Sequence, residues 1–182
     1  MIIVEGPDGG GKTSLIGMLA ERLSFEVMPR ACTSDNGVDP GTLAEWVDRD
    51  LSLPVHHRGF YDRHPLVSEP IYGPIIRGHM ADGFSDVQWL SRSLATLRAR
   101  DPFFIFCLPP VQNVLDNIAL GHGHDTKHLR GVHTHGRALY EMYCMRAAQE
   151  ASHPYSSVWL WNYMEASEAQ FEELVQTTKG HI

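Results

Sequence analysis

The residues Gly6-Pro7-Asp8-Gly9-Gly10-Gly11-Lys12-Thr13 match G-x-x-x-x-G-K-S/T at every fixed position. This spacing serves phosphate capture. Glycines let successive backbone N–H groups turn towards phosphate oxygens, and a helix opening near Lys12 points its positive end at the anion. Lys12 then reaches the β and γ phosphates, while the Thr13 hydroxyl serves a magnesium ion. Asp8, Gly9, Gly10, Gly11, Lys12, Thr13 and Ser14 are therefore candidates for holding ATP with Mg2+. A glycine-rich turn without a ligand is the plain alternative. It does not explain why the motif follows a β-branched apolar run and opens an amphipathic stretch.

A second constellation is Tyr61-Asp62-Arg63-His64, at the end of another short apolar run. An acid and a base at the carboxyl end of a strand suit phosphoryl transfer. Asp62 is a candidate either to hold the magnesium shell or to orient an acceptor, and Arg63 to neutralise phosphate. A surface ion pair is the alternative. On the first reading, losing Lys12 or Arg63 lowers turnover far more than stability. The chain has no Asn-Lys-x-Asp segment of the GTPase kind and no strand ending in Asp-Glu of the motor or AAA kind.

Strands must carry these groups to one edge. Met1–Glu5, Phe25–Met28, Gly59–Asp62, Phe103–Leu108 and Val158–Trp161 read as strands, the fourth most clearly because it is apolar on both faces. Between them, Leu15, Ile16, Leu19 and Leu23 mark a helix, as do Leu43, Trp46, Val47 and Leu51. The same spacing recurs at Val87, Leu90, Leu94 and Leu97, at Val111 to Ile118, at Leu139 to Ala147 and at Phe171 to Val175. Pro65 opens a segment that Pro70, Gly73 and Pro74 predict to be a broken helix. Alternating strands and helices imply an α/β fold with a mostly parallel sheet covered on both faces.

The 182 residues, 43% hydrophobic and 20% charged, imply one domain over residues 1–182. A formal charge of −7 argues against stable binding of duplex nucleic acid or an anionic membrane. No run approaches the roughly 18 apolar residues of a spanning helix, and Met1 to Val4 is too short for a signal peptide, so the expected setting is cytoplasmic. Cys32, Cys107 and Cys144 fit reduced, buried thiols.

The run Ile3-Val-Glu-Gly-Pro-Asp-Gly-Gly-Gly-Lys-Thr13 resembles the opening of the thymidylate kinase family, in which Phe/Val-Glu-Gly precedes a phosphate loop with an extra acid. Asp62-Arg63-His64 followed by Ser68-Glu-Pro-Ile-Tyr72-Gly73 resembles that family's Asp-Arg-Tyr/His motif with its downstream Ser and Tyr, and is similar to short phage-encoded members. The likeness rests on motifs in the first half of the chain and on element order alone in the second. It implies a three-layer α/β/α P-loop kinase with a five-stranded sheet and a lid, a homodimer, and, for a phage protein, the host cytoplasm. The implied activity is ATP- and Mg2+-dependent phosphorylation of a deoxynucleoside monophosphate, dTMP or a related pyrimidine, to the diphosphate. Asp8 would face the acceptor sugar, Arg63 would bridge donor and acceptor phosphates, Tyr72 would lie near the nucleoside, and Glu5 would support the loop from behind. The family's Arg-Glu-Pro-Gly-Gly-Thr segment stands here as Pro29-Arg-Ala-Cys-Thr-Ser34, with Arg30 the equivalent residue. The acceptor therefore stays open to a free deoxynucleoside or a modified pyrimidine in DNA, and a regulatory nucleotide-binding module without turnover is the rival of another class. Trp46 is either a base-stacking residue or core, and Arg77 either guards the acceptor phosphate or lies at the surface.

The polar stretch Gly121-His-Gly-His-Asp-Thr-Lys-His128, leading to Leu129-Arg130-Gly131, matches a kinase lid at about residues 120–132. Lys127 or Arg130 could neutralise charge in the transition state, and closure would exclude water. Arg137, read as the start of the next helix, could face inward as well. His122, His124, His128, His133 and His135 lack the rigid pairing and partners of a zinc site and read as loop polarity or phosphate contacts.

Overall fold

The computed structural model describes residues 1–31, 42–54, 59–120 and 126–181. Five strands form one parallel sheet: β1 (Ile2–Glu5), β2 (Val27–Met28), β3 (Phe60–Asp62), β4 (Phe103–Cys107) and β5 (Ser157–Trp161), in spatial order β2-β3-β1-β4-β5. Every carboxyl end therefore lies on one edge. Side-chain alternation divides the strands between two cores. Ile3, Phe104 and Phe106 face one core, and Ile2, Val4, Phe103, Ile105 and Cys107 face the other.

Helices α1 (Lys12–Leu23) and α7 (Glu168–Gly180) cover the second face through Leu15, Ile16, Leu19, Leu174 and Val175. The first face is covered by α2 (Leu43–Ser52), α3 (Pro65–Tyr72), α4 (Val87–Arg98), α5 (Val111–Ala119) and α6 (Thr126–Ala151). The result is the expected three-layer sandwich. The predicted break near Pro70 and Gly73 is a π-helical turn, Gly73–Arg77, running on from α3.

Several expectations are corrected. Phe25 does not extend β2; its ring meets Phe60 edge-on, with centroids 6.1 Å apart, outside the sheet ladder. Val87 is 77% exposed, because it is the first helical residue after the Asp86 cap, and Trp89 packs on Phe84 in its place. The long helix α6 begins at Thr126, well before Arg137, which is exposed. Gly131 and Gly136 look like breakers, but a Cβ on either would lie 3.1 Å from Ile76 or 2.9 Å from Leu115. Their small size admits close neighbours, and that packing offsets poor helix propensity. The proposed lid is thus helical from Thr126 on. Residues 121–125, with His122 and His124, and the side chains of Lys127, His128 and Arg130 lie outside the described set, as does Cys32. His133 and His135 are exposed on α6.

Candidate active site

The phosphate loop joins β1 to α1. Gly9 and Gly11 adopt φ of 76° and 83°, a conformation that L side chains resist, and Gly11 caps α1 without a side-chain hydrogen bond. The first amides of a twelve-residue helix are therefore left for an anion, with Thr13 and Ser14 exposed beside them. Lys12 folds back, its Nζ donating to the Pro7 carbonyl at 2.7 Å. Burial, then the Arg63 charge, lowers its pKa to about 8, against the pull of Asp8 and Asp62. A phosphate on this loop would raise that value again.

Arg63 leaves β3 at φ 68° with its side chain 5% exposed. Its Nη2 donates to Asp8 Oδ1 at 2.8 Å, to the Tyr72 hydroxyl at 2.6 Å and to the Gly6 carbonyl at 3.2 Å. The Tyr72 hydroxyl donates to Asp8 Oδ2 at 2.9 Å and accepts from the Asp8 amide at 3.1 Å. The guanidinium also lies 4.4 Å from the Tyr72 ring centroid. Burial opposes the charge on Arg63, but Asp8, Tyr72, Tyr143 and Asp62 together outweigh it and hold the group protonated. Asp8, Arg63 and Tyr72 are thus brought together in one buried cluster. Arg63 is not the surface ion pair of the alternative reading, so its loss bears on stability.

Supporting residues fix the strained arginine. The His64 amide donates to Glu5 Oε1 at 2.7 Å. His64 Nδ1 accepts from Leu66 at the start of α3, which leaves the ring proton on Nε2, 3.4 Å from Asp50 Oδ2. Tyr61 donates to the other Asp50 oxygen at 2.8 Å. Glu5 is fully buried, its Oε2 has no hydrogen-bond partner among the described residues, and desolvation raises its pKa to about 7. The Tyr143 hydroxyl, buried next to Tyr72 with ring centroids 6.1 Å apart, also has no hydrogen-bond partner among the described residues. His64 closes the Asp62-Arg63-His64 run, whereas Asp50 and Tyr143 carry no motif signal and enter through contacts across the fold.

The remaining candidates sit further out. Trp46 is half-buried in an aromatic corner with His64 and Tyr61, at centroid separations of 5.7 and 6.4 Å, beside the site and against the core. Arg30 follows β2 on the same sheet edge. Arg77 pairs with Glu69, whose Oε1 also accepts from the Ala81 amide at 2.6 Å, so it braces the π turn. Asp62 presents a buried Oδ1 with no hydrogen-bond partner among the described residues, and the exposed Thr13 lies in the first turn of α1. A carboxylate oxygen and an exposed hydroxyl are the donor types that fit magnesium, which takes one or two protein ligands and completes its shell with phosphate and water.

The fold is similar to that of solved nucleotide-kinase structures. The YorR protein of Bacillus subtilis, solved in complex with phosphorylated GDP, matches with a TM-score of 0.69 at 13% identity, over 98% of this chain and 95% of that one. Deoxyadenosine kinase from M. mycoides with bound dCTP matches with a TM-score of 0.59 at 14% identity, over 99% and 100%. With bound dATP the same enzyme gives 0.55 at 10% identity, over 98% of both chains. No family model and no curated protein matches the sequence. Among the described residues no helix is long and apolar enough to cross a membrane.

Proposed function

We propose that the protein is a kinase that transfers the γ-phosphoryl group of ATP to a deoxynucleoside monophosphate, with dTMP or a related pyrimidine nucleotide as the acceptor. The observation that carries this reading is the buried Asp8–Arg63–Tyr72 cluster on the wall of the phosphate loop. A guanidinium held there, beside the loop that takes the donor, is placed to neutralise phosphate on both sides of the transfer. Phosphoryl transfer asks mainly for positioning and charge.

In this mechanism Lys12 leaves the Pro7 carbonyl for the β and γ phosphates. Thr13 and Asp62 would hold magnesium, which neutralises developing charge on the phosphate oxygens. Arg63 exchanges its Asp8 contact for the acceptor phosphate. Asp8, released, and Tyr72 face the acceptor sugar; Trp46 and Arg30 line the outer wall. Lys127 and Arg130, early in α6, supply the lid cations.

The fold shared with a deoxyadenosine kinase favours one second reading, a free deoxynucleoside acceptor. The test is ADP formation from ATP across deoxynucleosides and their monophosphates, with and without Mg2+. Monophosphates should stimulate turnover and chelation should remove it. Stimulation by nucleosides alone selects the second reading. Slow hydrolysis that no acceptor stimulates would leave a binding module without turnover.

A further inference from the structure

The phosphate loop carries carbonyls that must face away from a bound anion, and the structure shows what captures them. Gly6 is held by Arg63, and Pro7 by Lys12 and the Gly10 amide, the latter at 3.2 Å. The Gly9 carbonyl is held from a different direction. Asn117, on the last turn of α5, donates from Nδ2 to that carbonyl at 2.9 Å and to the Tyr163 hydroxyl at 2.8 Å. The carbonyl can only accept, so the amide nitrogen must lie on that side. Tyr163, just after β5, lays its ring against the next turn of the loop: a Cβ on Gly11 would lie 2.9 Å from Cδ1.

Gly9-Gly10-Gly11 is the freest stretch of backbone in the loop, with positive φ at both ends. In a trans peptide the C=O and the following N–H point in opposite directions. A clamp on the Gly9 carbonyl therefore also aims the Gly10 amide, which closes the Pro7–Gly10 turn. A flip of this peptide would set the Gly9 carbonyl against the Pro7 carbonyl and open the turn that shapes the loop.

We propose that Asn117, seated against Tyr163, is a positioning residue that holds the Gly9–Gly10 peptide in its phosphate-binding orientation and so sets the affinity for the triphosphate donor. The inference rests on the phosphoryl-transfer reading above.

The test compares the unaltered protein with Asn117→Leu, which keeps the size and adds no charge, and with Tyr163→Phe, which keeps the ring on Gly11. ATP binding is measured by calorimetry without acceptor, followed by separate KM values for ATP and acceptor and a thermal melt. Asn117→Leu should weaken ATP binding and raise its KM by roughly tenfold, the factor expected for one lost hydrogen bond, and leave the acceptor KM within about twofold. Tyr163→Phe should give a smaller change in the same direction. A lower melting temperature with an unchanged ATP Kd in Asn117→Leu would overturn the inference and leave Asn117 a packing residue. Failure of the unaltered protein to bind ATP would overturn the phosphoryl-transfer reading, and this inference with it.

Discussion

Removing Arg63 separates what it does for the fold from what it does for chemistry. Arg63→Met takes away the charge that faces Asp8 at 2.8 Å and leaves a buried carboxylate that still accepts from the Tyr72 hydroxyl. Breaking a buried pair from one side costs about 3–5 kcal/mol, because the surviving charge is uncompensated. Neutralising that survivor in the Asp8→Asn, Arg63→Met double variant should recover at least half of the loss. Urea unfolding followed by circular dichroism gives each free energy by linear extrapolation, and the cycle isolates the coupling. Turnover should behave differently. The double variant regains stability yet stays roughly 10³-fold or more below the unaltered protein, the scale on which an arginine serves a transferring phosphoryl group. A single-variant cost below about 1 kcal/mol, the range of an exposed pair, would refute the structural half of this reasoning. Recovery of turnover in the double variant would refute the catalytic half.

Two further outcomes follow from the buried charges. With its folded pKa near 8, below the ordinary 10.5, Lys12 binds its proton more weakly in the ligand-free fold than in the unfolded chain. Its penalty is fully present below pH 8 and disappears as pH rises towards 10.5. Lys12→Met should therefore abolish turnover and stabilise the ligand-free protein at pH 7 by about 1–2 kcal/mol after loss of the Pro7 contact, and a lower melting temperature would contradict this. Glu5 is the opposite case, with a folded pKa near 7 against an ordinary 4.5, so stability falls as pH rises between those values. Glu5→Gln keeps an acceptor for the His64 amide and removes that fall, opening a gap of about 3 kcal/mol at most between pH 4.5 and 7.5; parallel pH profiles in urea would rule it out.

The local parts of this protein were legible in the sequence. Glycine spacing after a β-branched strand specifies a phosphate loop, because backbone freedom and helix start are properties of adjacent residues. Phe103–Cys107 could be read as a central strand because a run apolar on both faces is stable only between covered faces. Asp62 and Arg63 were found by their place at a strand end.

What the sequence could not decide was which distant groups these residues meet. Arg63 meets Asp8 across 55 positions, Tyr72 meets Asp8 across 64, and Asn117 reaches Gly9 across 108. Those encounters follow from the order β2-β3-β1-β4-β5, which sets β3 and β4 on either side of β1 and gathers their carboxyl ends round one loop. The early start of α6 has the same origin, since the close packing that tolerates Gly131 and Gly136 exists only once Ile76 and Leu115 are in place. Conformational preference is written residue by residue, whereas burial, and with it the charge state of Glu5, Lys12 and Arg63, belongs to neighbours that folding alone supplies.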